Sequence, residues 1–143
     1  MTVPPALADL AYLVGRVLLG VILIAHGWQK LVSNGISGTS AFFDQSGVPL
    51  PTLSAWFAAL VELVGGAALV LGVVVPVAAA LVVIDMVGAF LFVHAGKGLF
   101  IDKGGFELVS LIAAGSLLLL AVGGGRYSVD HVLRGRRRVP VRA

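Results

Sequence analysis

The chain contains four long apolar stretches, at about residues 10–31, 53–75, 77–94 and 106–122. Each has close to the ~20 residues that an α-helix needs to cross the hydrocarbon core of a bilayer. Of the 143 residues, 59% are hydrophobic and 12% are charged, and the mean hydropathy is +1.05. Soluble domains carry about twice that share of charged residues. The sequence therefore predicts an all-α integral membrane protein, a four-helix transmembrane bundle, and excludes a soluble globule.

The connections between the apolar stretches differ in length. Residues 32–52 are rich in Gly, Ser and Pro, a composition typical of turns, and we expect them to form the longest loop. Phe42 and Phe43 within this segment suggest contact with the membrane surface. Pro76 indicates a tight turn between the second and third spans.

The charge of the chain is concentrated at its C-terminal end. The net charge of +3 divides into +5 after residue 125 and −2 before it, because six of the ten basic residues are arginines of the last segment. We predict a transmembrane domain over residues 1–125 and a basic cytoplasmic tail over residues 126–143, in which Ser128 caps a short helix.

Positively charged flanks are retained in the cytoplasm, so four spans predict that both termini are cytoplasmic. Lys97 and Lys103 in an opposite loop are the weaker, opposing signal. Directly after a span, an arginine cluster is better explained by orientation and anionic lipid headgroups than by nucleic acid. The predicted headgroup contacts are Arg134, Arg136, Arg137 and Arg138.

The polar residues of the first span share one helical face. At 100° per residue, two cations and two glycines fall within about 40° of one another, and the stripe consists of Arg16, Gly20, Leu23, Gly27 and Lys30. Charges at bilayer depth usually face a bundle interior, and small residues let helices approach closely. We expect this stripe to face partner helices.

The predicted topology also brings ionisable side chains together in the outer half of the bundle, whereas it places Arg16 a turn or two above the cytoplasmic surface. One interpretation is a set of ion pairs and hydrogen bonds that fixes helix register. The other is a polar pocket in which a carboxylate and a histidine move a proton near a small substrate or a quinone headgroup. The candidates for this pocket are Arg16, His26, Lys30, Glu62, His94 and Glu107. No catalytic residue is assigned among them.

Asp85 is a further candidate buried acid, near the centre of the third span. His94 follows nine residues later, and on a regular helix this spacing puts the two side chains on opposite faces. We therefore expect Asp85 and His94 to lie in different sites. The sequence leaves open whether Glu62 is protonated or paired with a cation.

The chain contains no cysteine, which excludes disulfides, thiolate metal sites and thiol chemistry on this chain. His26 and His94 could in principle ligate a haem between two helices. Histidines at helix ends more often make hydrogen bonds, so haem is disfavoured, and we predict no metal site.

Three segments resemble the motifs of the DoxX family, and the resemblance covers roughly residues 10–133. The first span, RVLLGVILIAHGWQKL, is similar to R-x-x-L-G…H-G-x-x-K-L. The second has E-x-x-G-G-x-x-L-x-x-G beginning at Glu62, and the fourth is followed by GGGRYSVD where the family has G-x-G-x-x-S-x-D. By position, the family's recurring polar residues correspond to Arg16, His26, Lys30, Glu62, His94 and Glu107.

The resemblance implies a four-helix protein of the bacterial inner membrane, related to the small membrane subunit of thiosulfate:quinone oxidoreductase. It implies an accessory or quinone-facing subunit that acts in redox or oxidative-stress chemistry within the lipid bilayer. The expected partners are an oxidoreductase, a larger membrane complex or further copies of the chain. Two rivals remain: a noncatalytic assembly subunit, and a small protein that binds or transports a small molecule or lipid.

Overall fold

The computed structural model describes residues 4–136, which contain six longer helices and a short 3-10 helix at Ile101–Lys103. In chain order the longer helices are α1 (Pro5–Ser33), α2 (Gly35–Gln45), α3 (Pro51–Leu71), α4 (Val75–Lys97), α5 (Glu107–Val122) and α6 (Val129–Arg136). α1, α3 and α4 are long and apolar enough to span a bilayer, and α5 is a shorter apolar helix. No strand occurs in residues 4–136. The predicted all-α bundle is confirmed.

Proline and glycine residues determine where the membrane-spanning helices begin and end. α1 begins at Pro5, five residues before the predicted span, because proline is compatible with the first turn of a helix. α3 ends at Leu71, before the predicted residue 75, because Gly72 adopts a left-handed conformation with φ +73°. Pro76 lies in the first turn of α4 and makes the α3–α4 connection tight, as predicted.

α1 and α3 cross with their backbones almost in contact. A β-carbon at Gly20 would lie 2.6 Å from the Gly66 carbonyl oxygen, and one at Gly66 would lie 2.7 Å from the Gly20 carbonyl oxygen. A β-carbon at Gly27 would meet the Ala59 carbonyl oxygen at 2.9 Å. Arg16, Gly20, Leu23 and Gly27 are the buried residues of the first 24 residues of α1. The predicted inward-facing stripe is confirmed at these four positions.

The apolar core lies between α1, α3, α4 and α5. Its fully buried side chains include Leu23 on α1, Leu69 on α3 and Val82 on α4. Ile112 of α5 is also buried and belongs to the same cluster. α1 and α3 form the most extensive pair, followed by α4 and α5, and α3 also packs on α4. The polar site described below interrupts this core towards the α1 C-terminus.

The segment predicted as the longest loop is largely helical, because α2 occupies residues 35–45. The Gly- and Ser-rich composition indicated turns, but tertiary hydrogen bonds stabilise a helix here. Thr39 Oγ1 donates to the Lys30 carbonyl oxygen at 3.0 Å, and the hydroxyls of Ser40 and Thr52 are 2.8 Å apart. α2 therefore packs against the α1 C-terminus and the start of α3.

The segment after α5 folds back onto the α3–α4 turn. The Asp130 carboxylate accepts hydrogen bonds from the Val74 and Val75 amides at 2.8 and 2.9 Å. Ser128 caps α6, as predicted, by accepting from the His131 amide at 3.2 Å. Of the predicted headgroup contacts, Arg137 and Arg138 lie outside the described residues, and so do the side chains of Arg134 and Arg136.

Candidate functional site

A cavity of about 490 Å³ lies among α1, α2, α3, α4 and α5. Its walls are mostly apolar and aromatic, and ionisable side chains enter it from three helices. The ionisable residues that line it are His26, Lys30, Glu62, Asp85 and His94. Four of the six predicted pocket residues thus share this cavity, together with the separately predicted buried acid.

Lys30 and Glu62 form an ion pair inside the bundle. Lys30 Nζ lies 2.6 Å from Glu62 Oε2, and the two side chains are 20% and 5% exposed. An ionised group is costly to bury unless it is paired, so the contact resolves the alternative left open by the sequence: Glu62 is paired. The pair joins α1 to α3 at the polar end of the cavity.

Asp85 reaches the same cavity from α4 and is 9% exposed. Its Oδ2 atom has no hydrogen-bond partner among the described residues. Glu62 and Lys30 are both near enough to interact with Asp85 electrostatically. A buried polar atom without a partner is rare in folded proteins. Ion pairing that fixes helix register therefore accounts for Lys30 and Glu62 and leaves Asp85 unexplained.

Each of the three long helices widens into a π-helical turn where it borders the cavity. The turns are Gln29–Ser33, Val61–Gly65 and Phe90–His94, and each contains one ionisable residue of the site: Lys30, Glu62 and His94. Such turns occur often at functional sites because they change the helical phase of a side chain. In α1 the Asn34 amide bonds to the Gln29 carbonyl, which leaves the Lys30 carbonyl to Thr39.

The π turn in α4 overturns one expectation. Asp85 and His94 were expected in different sites because a regular helix puts them on opposite faces. Both line the cavity, since the turn Phe90–His94 breaks the regular α-helical period between them.

His94 and Glu107 hold the loop between α4 and α5. His94 Nδ1 lies 2.7 Å from the Gly104 carbonyl oxygen, and Glu107 Oε1 accepts from the Ile101 amide at 2.8 Å. This places Ile101 and Gly105 in the cavity wall. The prediction that Glu107 belongs to the pocket is therefore corrected: its carboxylate positions the loop and does not line the cavity.

Arg16 lies towards the other end of the bundle, away from the cavity. Its Nη2 donates to the Tyr127 carbonyl oxygen at 2.8 Å, and the side chain is 1% exposed. A β-carbon at Gly72 would overlap the Arg16 guanidinium. The prediction that put Arg16 in the pocket is corrected because 14 residues of α1 separate it from Lys30, about 20 Å at helical rise. Arg16 instead ties the C-terminal segment to the bundle.

The cavity is lined in part by side chains that are exposed on the outside of the bundle, including Phe42 of α2 and Ile101 of the α4–α5 loop. Phe57 of α3 and Ile84 and Phe92 of α4 line it and are also exposed on the outside of the bundle. Exposed apolar side chains on membrane-spanning helices face lipid chains. These three side chains therefore border both the cavity and the exposed apolar surface of the bundle.

The sequence did not identify Thr39 and Ser54 as part of the site. Both hydroxyls line the cavity, from α2 and α3. Their segment was interpreted as a loop, and no local pattern marks either residue. The role of Asp130 was also missed, although the resemblance included it in the motif at the end of the fourth span.

These features define a multi-pass helical membrane protein with a polar site inside its bundle. The DoxX family model matches residues 11–95, more than half of the chain. The chain belongs to the DoxX family.

Named relatives match along almost all of the chain. The inner membrane protein YqjF of Escherichia coli (strain K12) is 32% identical over 131 residues, 89% of this chain and 95% of YqjF. The protein named "Putative oxidoreductase CatD" of Bacillus subtilis (strain 168) is 29% identical over 137 residues, 94% of this chain and 96% of CatD. An uncharacterized membrane protein of Mycobacterium tuberculosis (strain ATCC 25618 / H37Rv) is 32% identical over 85% of this chain and 80% of that protein. No solved structure gives a significant match.

Proposed function

We propose that this protein is a DoxX-type subunit of the bacterial inner membrane whose cavity receives the ring of a quinone. In this role it serves membrane-associated redox chemistry together with a partner oxidoreductase. The observation that carries the proposal is a mostly apolar cavity, with exposed aromatic lining on α3 and α4, that contains beside a buried ion pair the Asp85 Oδ2 atom, which has no partner among the described residues.

The chemistry of the walls suits this class of ligand. A quinone has an apolar ring and tail and two polar oxygens, and ligand sites combine apolar walls with a few placed polar groups. Phe57 and Phe92 offer aromatic surface, whereas Lys30, Asp85 and His94 offer polar contacts. The volume of about 490 Å³ lies within the range of ~300–1,000 Å³ found for small-molecule sites.

Quinone reduction needs protons and electrons, and we assign the two to different proteins. Conversion of a quinone into a hydroquinone takes up two electrons and two protons. His94 and Asp85 are side chains that can exchange protons with a ligand in the cavity. The electrons come from the partner oxidoreductase, because this chain lacks cysteine and carries no nucleotide-binding motif. One relative is named an oxidoreductase, which supports a redox association.

The proposal includes the orientation of the protein in the membrane. Both termini lie in the cytoplasm, with the basic tail against anionic headgroups, since arginines follow the last span. The cavity then lies in the outer half of the bilayer. The rest of the chain forms the transmembrane domain.

Filling the cavity tests the proposal. A β-carbon at Gly88 meets no atom within 4 Å, and Gly88 lines the cavity. Gly88→Leu therefore adds a side chain to the cavity wall at a position where the β-carbon has open space. We expect purified protein in lipid nanodiscs to bind a decyl-substituted benzoquinone or its hydroquinone, and this variant to bind at least tenfold more weakly, by equilibrium dialysis.

Gly15→Leu is the matched control. Its β-carbon also meets no atom within 4 Å, but Gly15 does not line the cavity. Binding should remain as in the wild type. The proposed function fails if the wild type binds neither form, or if both glycine variants bind as the wild type does.

A further inference from the structure

We infer that the cavity selects the reduced ligand, a ring that bears hydroxyl groups, over the quinone. This inference rests on the proposed function and specifies its ligand. A hydroquinone donates hydrogen bonds through its two hydroxyls, whereas a quinone only accepts them. The polar groups of the cavity therefore decide between the two forms.

Asp85 supplies the first acceptor. Its side chain is nine-tenths buried, lines the cavity, and leaves Oδ2 without a partner among the described residues. A carboxylate accepts through both oxygens and donates nothing, whereas a carboxylic acid accepts through its carbonyl oxygen and donates through its hydroxyl, so the ionised form of Asp85 is the one that selects for a ligand hydroxyl. A ligand hydroxyl provides the donor that this oxygen lacks. A quinone carbonyl next to an ionised Asp85 meets only repulsion between lone pairs.

The two hydroxyls that line the cavity have already used their protons. Thr39 Oγ1 donates to the Lys30 carbonyl oxygen at 3.0 Å, and Ser54 Oγ donates to the Pro49 carbonyl oxygen at 2.7 Å. A carbonyl oxygen can only accept, so the direction of both bonds is fixed. Each hydroxyl oxygen can therefore only accept a further hydrogen bond.

The hydrogen-bonding direction of the His94 ring is fixed in the same way. Its Nδ1 lies 2.7 Å from the Gly104 carbonyl oxygen, which requires the proton on Nδ1. In the neutral ring, Nε2 is then an acceptor. The imidazole is held in place by the loop, and His94 lines the cavity.

One of the three N–H donors of the Lys30 ammonium group is occupied. Lys30 Nζ is bound to Glu62 Oε2 at 2.6 Å, so Glu62 competes with any ligand carbonyl for the ammonium group. Thr39, Ser54, Asp85 and His94 therefore offer acceptors, while Gln29, Asn34 and His26 also line the cavity and can donate as well as accept. A ligand with donors fits this set better than a ligand that only accepts.

Three probes with the same decyl tail test the inference: the 1,4-hydroquinone, the benzoquinone and the 1,4-dimethoxybenzene. The last keeps the ring but has no donor. Binding is measured by equilibrium dialysis to wild-type protein in nanodiscs under anaerobic conditions. We expect the hydroquinone to bind at least tenfold more tightly than either other probe, which corresponds to about 1.4 kcal/mol.

Asp85→Asn provides the residue-level test because an amide keeps the size of the side chain and adds a donor. The preference for hydroquinone over benzoquinone should fall below about threefold in this variant. Asp44→Asn, the same change on α2 at a residue outside the cavity lining, should leave the preference unchanged.

The outcomes separate this inference from the proposed function. Equal binding of hydroquinone and benzoquinone, or tighter binding of benzoquinone, overturns the inference and leaves the quinone site standing. An unchanged preference in Asp85→Asn also overturns it. If none of the three probes binds, the proposed function itself fails. Tight binding of the dimethoxy probe identifies an apolar site that does not use the acceptors.

Discussion

At the scale of single residues, the Lys30–Glu62 ion pair is the contact on which the polar end of the cavity depends. The two atoms are 2.6 Å apart, and Glu62 is almost fully buried. The sequence placed both residues in the candidate pocket but could not determine whether they meet. Their contact depends on π turns in α1 and α3, and no composition or spacing signals such turns.

Removing one partner of this pair should destabilise the protein more than removing both. Glu62→Leu leaves the Lys30 ammonium without its counter-charge, and Lys30→Met does the same to the Glu62 carboxylate. We expect each to lower the free energy of unfolding by about 3 kcal/mol, and the double variant to regain at least half of the summed loss. Unfolding by SDS in mixed micelles, followed by circular dichroism, measures these changes.

The matched control is the exposed pair of Arg126 and Asp9. Its atoms are 3.9 Å apart, and the arginine side chain is 69% exposed. Arg126→Ala should cost less than about 1 kcal/mol. Strictly additive losses in the Lys30 and Glu62 variants would show that the pair contributes no coupling energy.

At the scale of elements, hydropathy gave the four spans in the right order, and the spacing of small residues gave the buried face of α1. α2 could not be predicted, because its Gly- and Ser-rich sequence is a poor local helix former. Its hydrogen bonds to Lys30 and Thr52 are tertiary. The common site of Asp85 and His94 was missed for the same kind of reason, since a π turn leaves no trace in the hydropathy pattern.

The crossing of α1 and α3 yields a prediction for this scale. Gly20→Ala should lower the free energy of unfolding by about 1–3 kcal/mol, because its β-carbon would lie 2.6 Å from the Gly66 carbonyl oxygen and force the helices apart. Gly15→Ala on the same helix meets no atom within 4 Å. It should be neutral or stabilising by about 0.5–1 kcal/mol, since alanine favours helix.

The same SDS titration measures both glycine variants. Equal stability of Gly20→Ala and Gly15→Ala would contradict the close crossing. Gly66→Ala is an independent check from the other helix, because its β-carbon would meet the Gly20 carbonyl oxygen at 2.7 Å.

At the scale of the whole molecule, the polar residues separate into two clusters with different tasks. Arg16 of α1 binds the Tyr127 carbonyl, and Asp130 binds the α3–α4 turn, so that both hold the C-terminal segment on the bundle. Lys30, Glu62 and their neighbours form the cavity nearer the other end. The sequence treated Arg16 and Lys30 as parts of one site because they share a helical face; the length of α1 between them assigns each to its own cluster.

The orientation of this two-ended molecule is open to a direct test because the chain has no cysteine. Asp102→Cys places a thiol in the exposed loop between α4 and α5, and Val132→Cys places one on the exposed surface of α6. With both termini in the cytoplasm, a membrane-impermeant maleimide should label Asp102→Cys in intact spheroplasts. It should label Val132→Cys only after permeabilisation, and the cysteine-free wild type should remain unlabelled. The reverse pattern would put the cavity in the cytoplasmic half of the bilayer and show that Lys97 and Lys103 outweigh the arginine tail.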